Sequence, residues 1–138
     1  FVELVGYPLR LPEGAPSVQP GDTLHLTLVW RCLAPMETSY TVFTHLLDEA
    51  QQIRGQQDNV PVRGSYATPL WAPGEVVVDE YALVVQPGAP PGRAVIEVGM
   101  YDPATLVRLP VLDPTGATDD RVLLGDIRID EGRTTKDE

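Results

Sequence analysis

Thr23-Leu24-His25-Leu26-Thr27-Leu28-Val29-Trp30-Arg31 alternates apolar and polar side chains with a period of two. Leu24, Leu26, Leu28 and Trp30 point to one face of an extended chain, and Thr23, His25, Thr27 and Arg31 point to the other. The segment reads as a half-buried antiparallel strand, apolar inward and polar outward. Arg93–Tyr101 repeats the pattern with Ala94, Ile96, Val98 and Met100 inward, a register that sends Glu97 to solvent. Tyr40–Asp48 carries apolar groups on both faces, Val42 and Leu46 against Phe43 and Leu47, as a strand covered on two sides does. Glu75–Val85 is valine-rich, and its apolar register changes across Asp79 and Glu80, which predicts a β-bulge there. With Val2–Tyr7, Gln52–Gly55, Val107–Val111 and Arg121–Ile129, the set comes to about seven to nine strands and no helix.

The segments between these strands punctuate them. Pro20-Gly21-Asp22, Pro73-Gly74-Glu75 and Pro91-Gly92 each offer Pro at the first central position of a type II turn and Gly where positive φ is required. With 14 Pro and 12 Gly in 138 residues, a helical bundle is excluded. Many short strands separated by such turns predict an all-β, immunoglobulin- or fibronectin-like antiparallel β-sandwich. One domain over residues 1–129 fits the length. Residues 130–138 contain no apolar side chain and are expected to form a polar tail or linker, disordered because it has nothing to bury.

Charge and hydropathy narrow the function classes. Ten basic against twenty acidic residues leave a net charge of −10, which argues against a nucleic-acid partner. No apolar run of transmembrane length occurs, and mean hydropathy is −0.08. Position 1 is not Met and the sequence contains no signal-peptide pattern, so the chain is expected to be a piece of a longer polypeptide. The lone Cys32 excludes an intrachain disulfide and cannot build a thiolate metal site by itself.

Candidate chemistry is sparse. His25 and His45 are the only imidazole bases, and no Gly-x-Ser-x-Gly elbow or Cys–His signature accompanies them. His25 belongs to the polar face of its strand and reads as solvated; His45 reads as a neutral, hydrogen-bonded structural histidine. Cys32 reads as a small hydrophobe near a strand end. Asp79 and Glu80 point to opposite faces of one strand and so do not form a glycosidase pair. Asp113, Asp119 and Asp120 sit in a Pro/Gly-containing loop that lacks the calcium-loop spacing, so a solvated acidic loop is favoured over a Ca²⁺ site. No metal site and no cofactor are expected. Tyr66 and Trp71 are the loop aromatics able to stack on a sugar ring, although Trp71 before its Pro-Gly turn suits a core cap better.

Several segments together resemble a known module: Pro20-Gly21-Asp22-Thr23-Leu24 leading to Trp30-Arg31, Tyr40–Asp48, Gln57-Asp58 to Pro61, and Trp71-Ala72-Pro73-Gly74-Glu75. Pro90-Pro91-Gly92 leading to Val98–Pro103, and Arg108-Leu109-Pro110, complete the order. Over roughly residues 18–129 the chain resembles a C-terminal β-sandwich module of large bacterial, Chloroflexi-type membrane proteins similar to protein-mannosyltransferases and arabinosyltransferases. Arg93-Ala94 stands where that module carries an aromatic residue after its Pro-Pro-Gly turn. The resemblance implies an extracytoplasmic, non-catalytic accessory role within a membrane-anchored parent, and it implies Asp58 as the acidic partner of His45. Two alternatives belong to other classes: a carbohydrate-binding module using Tyr66 and Trp71, and a protein-assembly module using an exposed sheet edge. The partner would then be a glycan or another protein; an enzyme is not expected.

Overall fold

A computed structural model describes residues 1–12 and 17–131. The strands are β1 (Val2–Gly6), β2 (Leu9–Arg10), β3 (Ser17–Val18), β4 (Thr23–Cys32), β5 (Thr41–Leu47) and β6 (Ile53–Gln56). They continue as β7 (Val76–Val84), β8 (Gly92–Tyr101), β9 (Arg108–Leu109), β10 (Val111–Leu112), β11 (Thr118–Asp119) and β12 (Val122–Ile129). In the first sheet β4 is central, with β1 and β2 along one edge, β7 along the other, and β10 and β11 beyond β1. The second sheet runs β3-β12-β8-β5-β6, with β9 against the C-terminal end of β8. The chain changes sheet between β4 and β5, between β6 and β7, and again between β7 and β8, the exchange of an immunoglobulin-like sandwich.

The alternating strands deliver the core. Leu24, Leu26, Leu28 and Trp30 of β4 face Val42 and Leu46 of β5, Ile96, Val98 and Met100 of β8, and Leu124, Ile127 and Ile129 of β12, all buried. Each such aliphatic side chain contributes about 2 kcal/mol of transfer free energy. Two of the expected turns close: the Asp22 N–H donates to the Gln19 carbonyl at 3.0 Å and the Glu75 N–H to the Ala72 carbonyl at 2.9 Å. Gly21 and Gly74 supply the positive φ between them, 93° and 85°.

Three expectations need correction. β7 pairs with β4 in unbroken register from Thr23↔Val84 to Arg31↔Val76, so there is no bulge at Asp79 and Glu80. Alternation simply continues, and Asp79 takes a fully buried position between Val77 and Tyr81 on the inner face. Its Oδ1 accepts the Val62 N–H at 2.8 Å. Trp30 Nε1 and the Tyr81 hydroxyl lie beside the carboxyl and oppose its protonation, yet neither closes a hydrogen bond of standard geometry with it. Secondly, Val107–Val111 is two strands, not one. Pro110 has no N–H to donate and marks the point where the chain leaves β8 for β1, so β9 and β10 lie in different sheets. Thirdly, Asp130, the first residue assigned to the polar tail, is tied to the sandwich. The Asp130 N–H donates to the Val18 carbonyl at 2.7 Å and its carboxylate accepts the Ser17 hydroxyl, which ties it to β3; residues 132–138 lie outside the described residues.

Candidate functional site

The outer face of the second sheet carries a compact cluster around β5, the strand whose two apolar faces predict cover on both sides. Phe43 points outward there yet is 1% exposed. Its ring lies flat on β8 because Gly99, its cross-strand partner, has no side chain: a Cβ at that position would come within 2.6 Å of the ring. The Arg108 guanidinium covers the ring from above, 4.4 Å from the centroid, with His45 and Tyr101 at its sides. Gly99→Ala is therefore expected to cost about 2 kcal/mol in urea denaturation. Adding Phe43→Leu to that variant should recover part of the loss, and a Gly99→Ala protein as stable as wild type would contradict this packing.

Next to the ring, His45 and Glu97 face each other across β5 and β8, with Nδ1 3.1 Å from Oε1. The His45 Nε2 lies 3.3 Å from Asp58 Oδ1. Asp58 is held there because the next residue, Asn59, exchanges two backbone hydrogen bonds with Val42, extending the sheet past β6. The second Glu97 oxygen accepts from Arg121 Nη1 at 2.7 Å and lies 3.5 Å from Arg108. Burial pushes the Glu97 carboxyl up, but the hydrogen bonds from Arg121 and His45 and the two guanidinium charges outweigh it and hold it below its ordinary value. Burial pulls the His45 imidazole down, and its contacts with Asp58 and Glu97 overcome that and raise it.

The cluster borders a pocket of about 240 Å³ lined by Phe43, His45, Asp58, Tyr101, Leu106 and Arg108. Asp58 lines it with Oδ1 buried against His45 Nε2 and Oδ2 3.5 Å from the Tyr101 hydroxyl. Leu106 forms an apolar rim, 72% exposed and in left-handed conformation at φ 64°, pinned by its N–H to the Asp102 carbonyl at 2.7 Å. The carboxylates of Asp58 and Glu97 balance the guanidiniums of Arg108 and Arg121, so the site matches an uncharged, hydroxyl-bearing group better than an ion. Among the described residues no Ser, Thr or Cys lines it.

The expected His45–Asp58 pair is thus present. The expectation of a solvent-facing Glu97 is overturned: β9 and the segment before β12 cover this part of the face, and Glu97 is 5% exposed. Arg108 enters the sequence reading as part of the Arg108-Leu109-Pro110 segment and Arg121 as the start of a strand, and no local pattern assigns either to this site, because the His45–Glu97 register is set by strand pairing. The loop aromatics serve the interior. Trp71 is 3% exposed and its indole N–H donates to the Tyr66 carbonyl at 3.1 Å. The Tyr66 hydroxyl donates to Glu75 at 2.8 Å, which fixes the ring beside Trp71. They build the cap over the Pro73-Gly74 turn, and Trp71 presents no face to a sugar.

Elsewhere, His25 is exposed on the polar face of β4, and Cys32 is buried with its thiol 3.2 Å from the Ala34 carbonyl. In the acidic loop, Asp113 turns inward on its own backbone, accepting the N–H groups of Thr115 and Ala117 at 2.8 and 3.0 Å, and Asp120 lies 3.9 Å from Arg108. Among the described residues no three His, Cys, Asp or Glu side chains converge to hold a metal ion, and no helix is long and apolar enough to cross a membrane.

No protein-family model matches the sequence, and no curated protein matches it. Several solved structures are similar, the following two among them. The C-terminal domain of Wzt superposes with a TM-score of 0.56 at 9% identity, covering 96% of this chain and 75% of that one. AvmM, which catalyses macrocyclisation in alchivemycin A biosynthesis, gives a TM-score of 0.42 at 12% identity, covering 96% and 93%. The likeness to the Wzt domain is one of fold, and it places this chain among β-sandwich modules of that architecture.

Proposed function

We propose that this chain is a non-catalytic accessory module of a larger extracytoplasmic, membrane-anchored protein of glycosyltransferase-like kind, and that its ligand-presenting surface is the pocket beside His45. The parentage rests on the resemblance over residues 18–129. The observation that carries the non-catalytic reading is the engagement of the acid–base groups: both His45 nitrogens face carboxylates, and both Glu97 oxygens are taken. A general base needs a free lone pair within reach of substrate, and the pocket offers one ligand-facing carboxylate, Asp58, held in place for binding.

A carbohydrate-binding role is favoured within this reading by the neutral charge balance and by the combination of Asp58, the Tyr101 hydroxyl and the apolar Leu106 rim. It replaces the loop aromatics as the sugar-binding surface. Titrating the isotope-labelled chain with neutral monosaccharides, observed by NMR, is expected to shift the Leu106 amide and the His45 ring signals, and Asp58→Asn should abolish the shifts. Conversion of the sugar during the titration, or shifts unchanged by Asp58→Asn, would overturn the assignment. The membrane-anchored part is tested separately: the parent polypeptide should carry transmembrane segments upstream of Phe1, and a parent without any refutes it.

A further inference from the structure

The opposite sheet carries a second recess. On the outer face of β4 and β7, His25, Thr27, Glu80 and Ala82 form the floor of a groove of about 650 Å³. One wall is Pro8–Arg10, held by the Thr27 N–H on the Pro8 carbonyl at 2.9 Å and by the β2–β4 ladder. The other wall is the segment that follows β6. Gln57 and Asn59 line the groove while Asp58 between them belongs to the pocket of the second sheet, as alternation along an extended chain requires.

Arg63 reaches the groove by a costly route. Val62, Arg63 and Gly64 are three consecutive left-handed residues, with φ of 56°, 55° and 82°. For a β-branched valine this is a true outlier, and each of the two non-glycine residues costs roughly 1–2 kcal/mol there. The turn persists because the buried Asp79 accepts the Val62 N–H and because the Gly64 N–H bonds to the Val60 carbonyl at 2.8 Å. Its result is to bring Arg63 to the rim of the groove, with Nη2 3.2 Å from Glu80 and the side chain largely exposed. Backbone strain over-determined in this way marks positions whose geometry is used.

The chemistry around the groove is specific. Gln57 gives its Oε1 to the Ala82 N–H at 2.8 Å, which fixes the amide so that its NH₂ remains a donor. Among the described residues Glu80 is the one carboxylate lining the recess beside Arg10 and Arg63, on a chain with twenty acidic and ten basic residues. None of the large exposed apolar side chains lines it, which disfavours an apolar peptide. Amide donors, a threonine hydroxyl and an imidazole suit vicinal hydroxyls, and a guanidinium fork suits a carboxylate.

We propose that this groove binds an acidic oligosaccharide, a hydroxyl-rich chain whose carboxylate groups are taken by Arg63 and Arg10. The inference is independent of the pocket beside His45. The probes are a galacturonic-acid oligomer, a neutral galactose oligomer of equal length and inorganic phosphate, each titrated into the chain by calorimetry and NMR. The acidic oligomer is expected to bind, to shift the signals of Thr27, Gln57 and Asn59, and to weaken as salt is raised. Arg63→Gln should reduce affinity about tenfold, the loss of one charge-assisted contact, and Glu80→Gln should increase it by releasing Arg63. Equal binding of the neutral oligomer, phosphate binding as tight as the oligomer's, or an unchanged affinity in both variants would overturn the proposal.

Discussion

Glu97→Ala should lower the stability of this domain by about 3 kcal/mol, the low end of what removing one partner from a buried ion pair costs. The reason lies in what the carboxylate leaves behind. His45, Arg108 and Arg121 all turn toward it, and without it two guanidiniums and an imidazole are left with the carboxylates of Asp58, Asp119 and Asp120. Both arginine side chains are about one third exposed (34%) and regain hydration, which keeps the loss from the top of the range. The pH dependence should change as well. Glu97 titrates below its ordinary 4.5, so its contribution is present above that value and disappears as pH falls through the lowered one. His45 titrates above its ordinary 6.5, so its contribution is complete below 6.5 and fades as pH rises through the raised one. These two contributions are therefore jointly greatest between the two limbs, superposed on the decline that the buried Asp79 carboxyl adds as pH rises from 3.8. In Glu97→Ala the acid limb should flatten, and the alkaline limb should shrink to what Asp58 alone sustains. Urea denaturation from about pH 2 to about pH 9, which reaches well below the ordinary glutamate value, measures both; a variant within about 0.5 kcal/mol of wild type, the usual surface effect, would show that the cluster is not the cohesive element of this face.

The sandwich was legible because its longest strands obey one rule. Alternation in β4 and β8 assigns inner and outer residues without knowledge of the partner strands, and the Pro20-Gly21 and Pro73-Gly74 turns fix where strands begin. The two-residue strands β2, β3, β9, β10 and β11 are too short to show any period, and they are the ones that settle what covers each face. That is why Glu97 was misread. Its outward register is correct, but the chain around β9 and the start of β12 lies over it, and such cover depends on contacts distant in sequence. Asp79 fails for a related reason. A carboxylate within a valine-rich run suggests a register change as long as its cost is judged alone, and the Val62 N–H that offsets part of the cost comes from seventeen residues away. His45 with Asp58 was reached through family resemblance, because nothing in local periodicity links β5 to the segment after β6.

Asp79→Ala is expected to cost about 3 kcal/mol, since it strands the Val62 N–H and deprives Trp30 Nε1 and the Tyr81 hydroxyl of their polar neighbour in a dry interior. Asp79→Asn should behave differently, and the difference depends on pH. Burial raises the Asp79 carboxyl above its ordinary 3.8, against the pull of Tyr81, Val62 and Trp30. The folded chain then holds the proton more tightly than the unfolded one, so this residue's contribution falls as pH rises from 3.8 through the raised value. Asparagine keeps the acceptor for Val62 and carries no charge. Its stability relative to wild type should improve steadily over that interval, and a difference that stays constant with pH would refute the buried, protonatable carboxyl. The same pair of variants reaches the surface. The left-handed turn at Val62–Gly64 depends on that acceptor, so Asp79→Ala should speed amide exchange at Val62 and Gly64 and release Arg63 from β7, while Asp79→Asn should leave both in place. If Asp79→Ala weakens acidic-oligosaccharide binding and Asp79→Asn does not, the buried carboxyl is the positioning element for a groove it never touches.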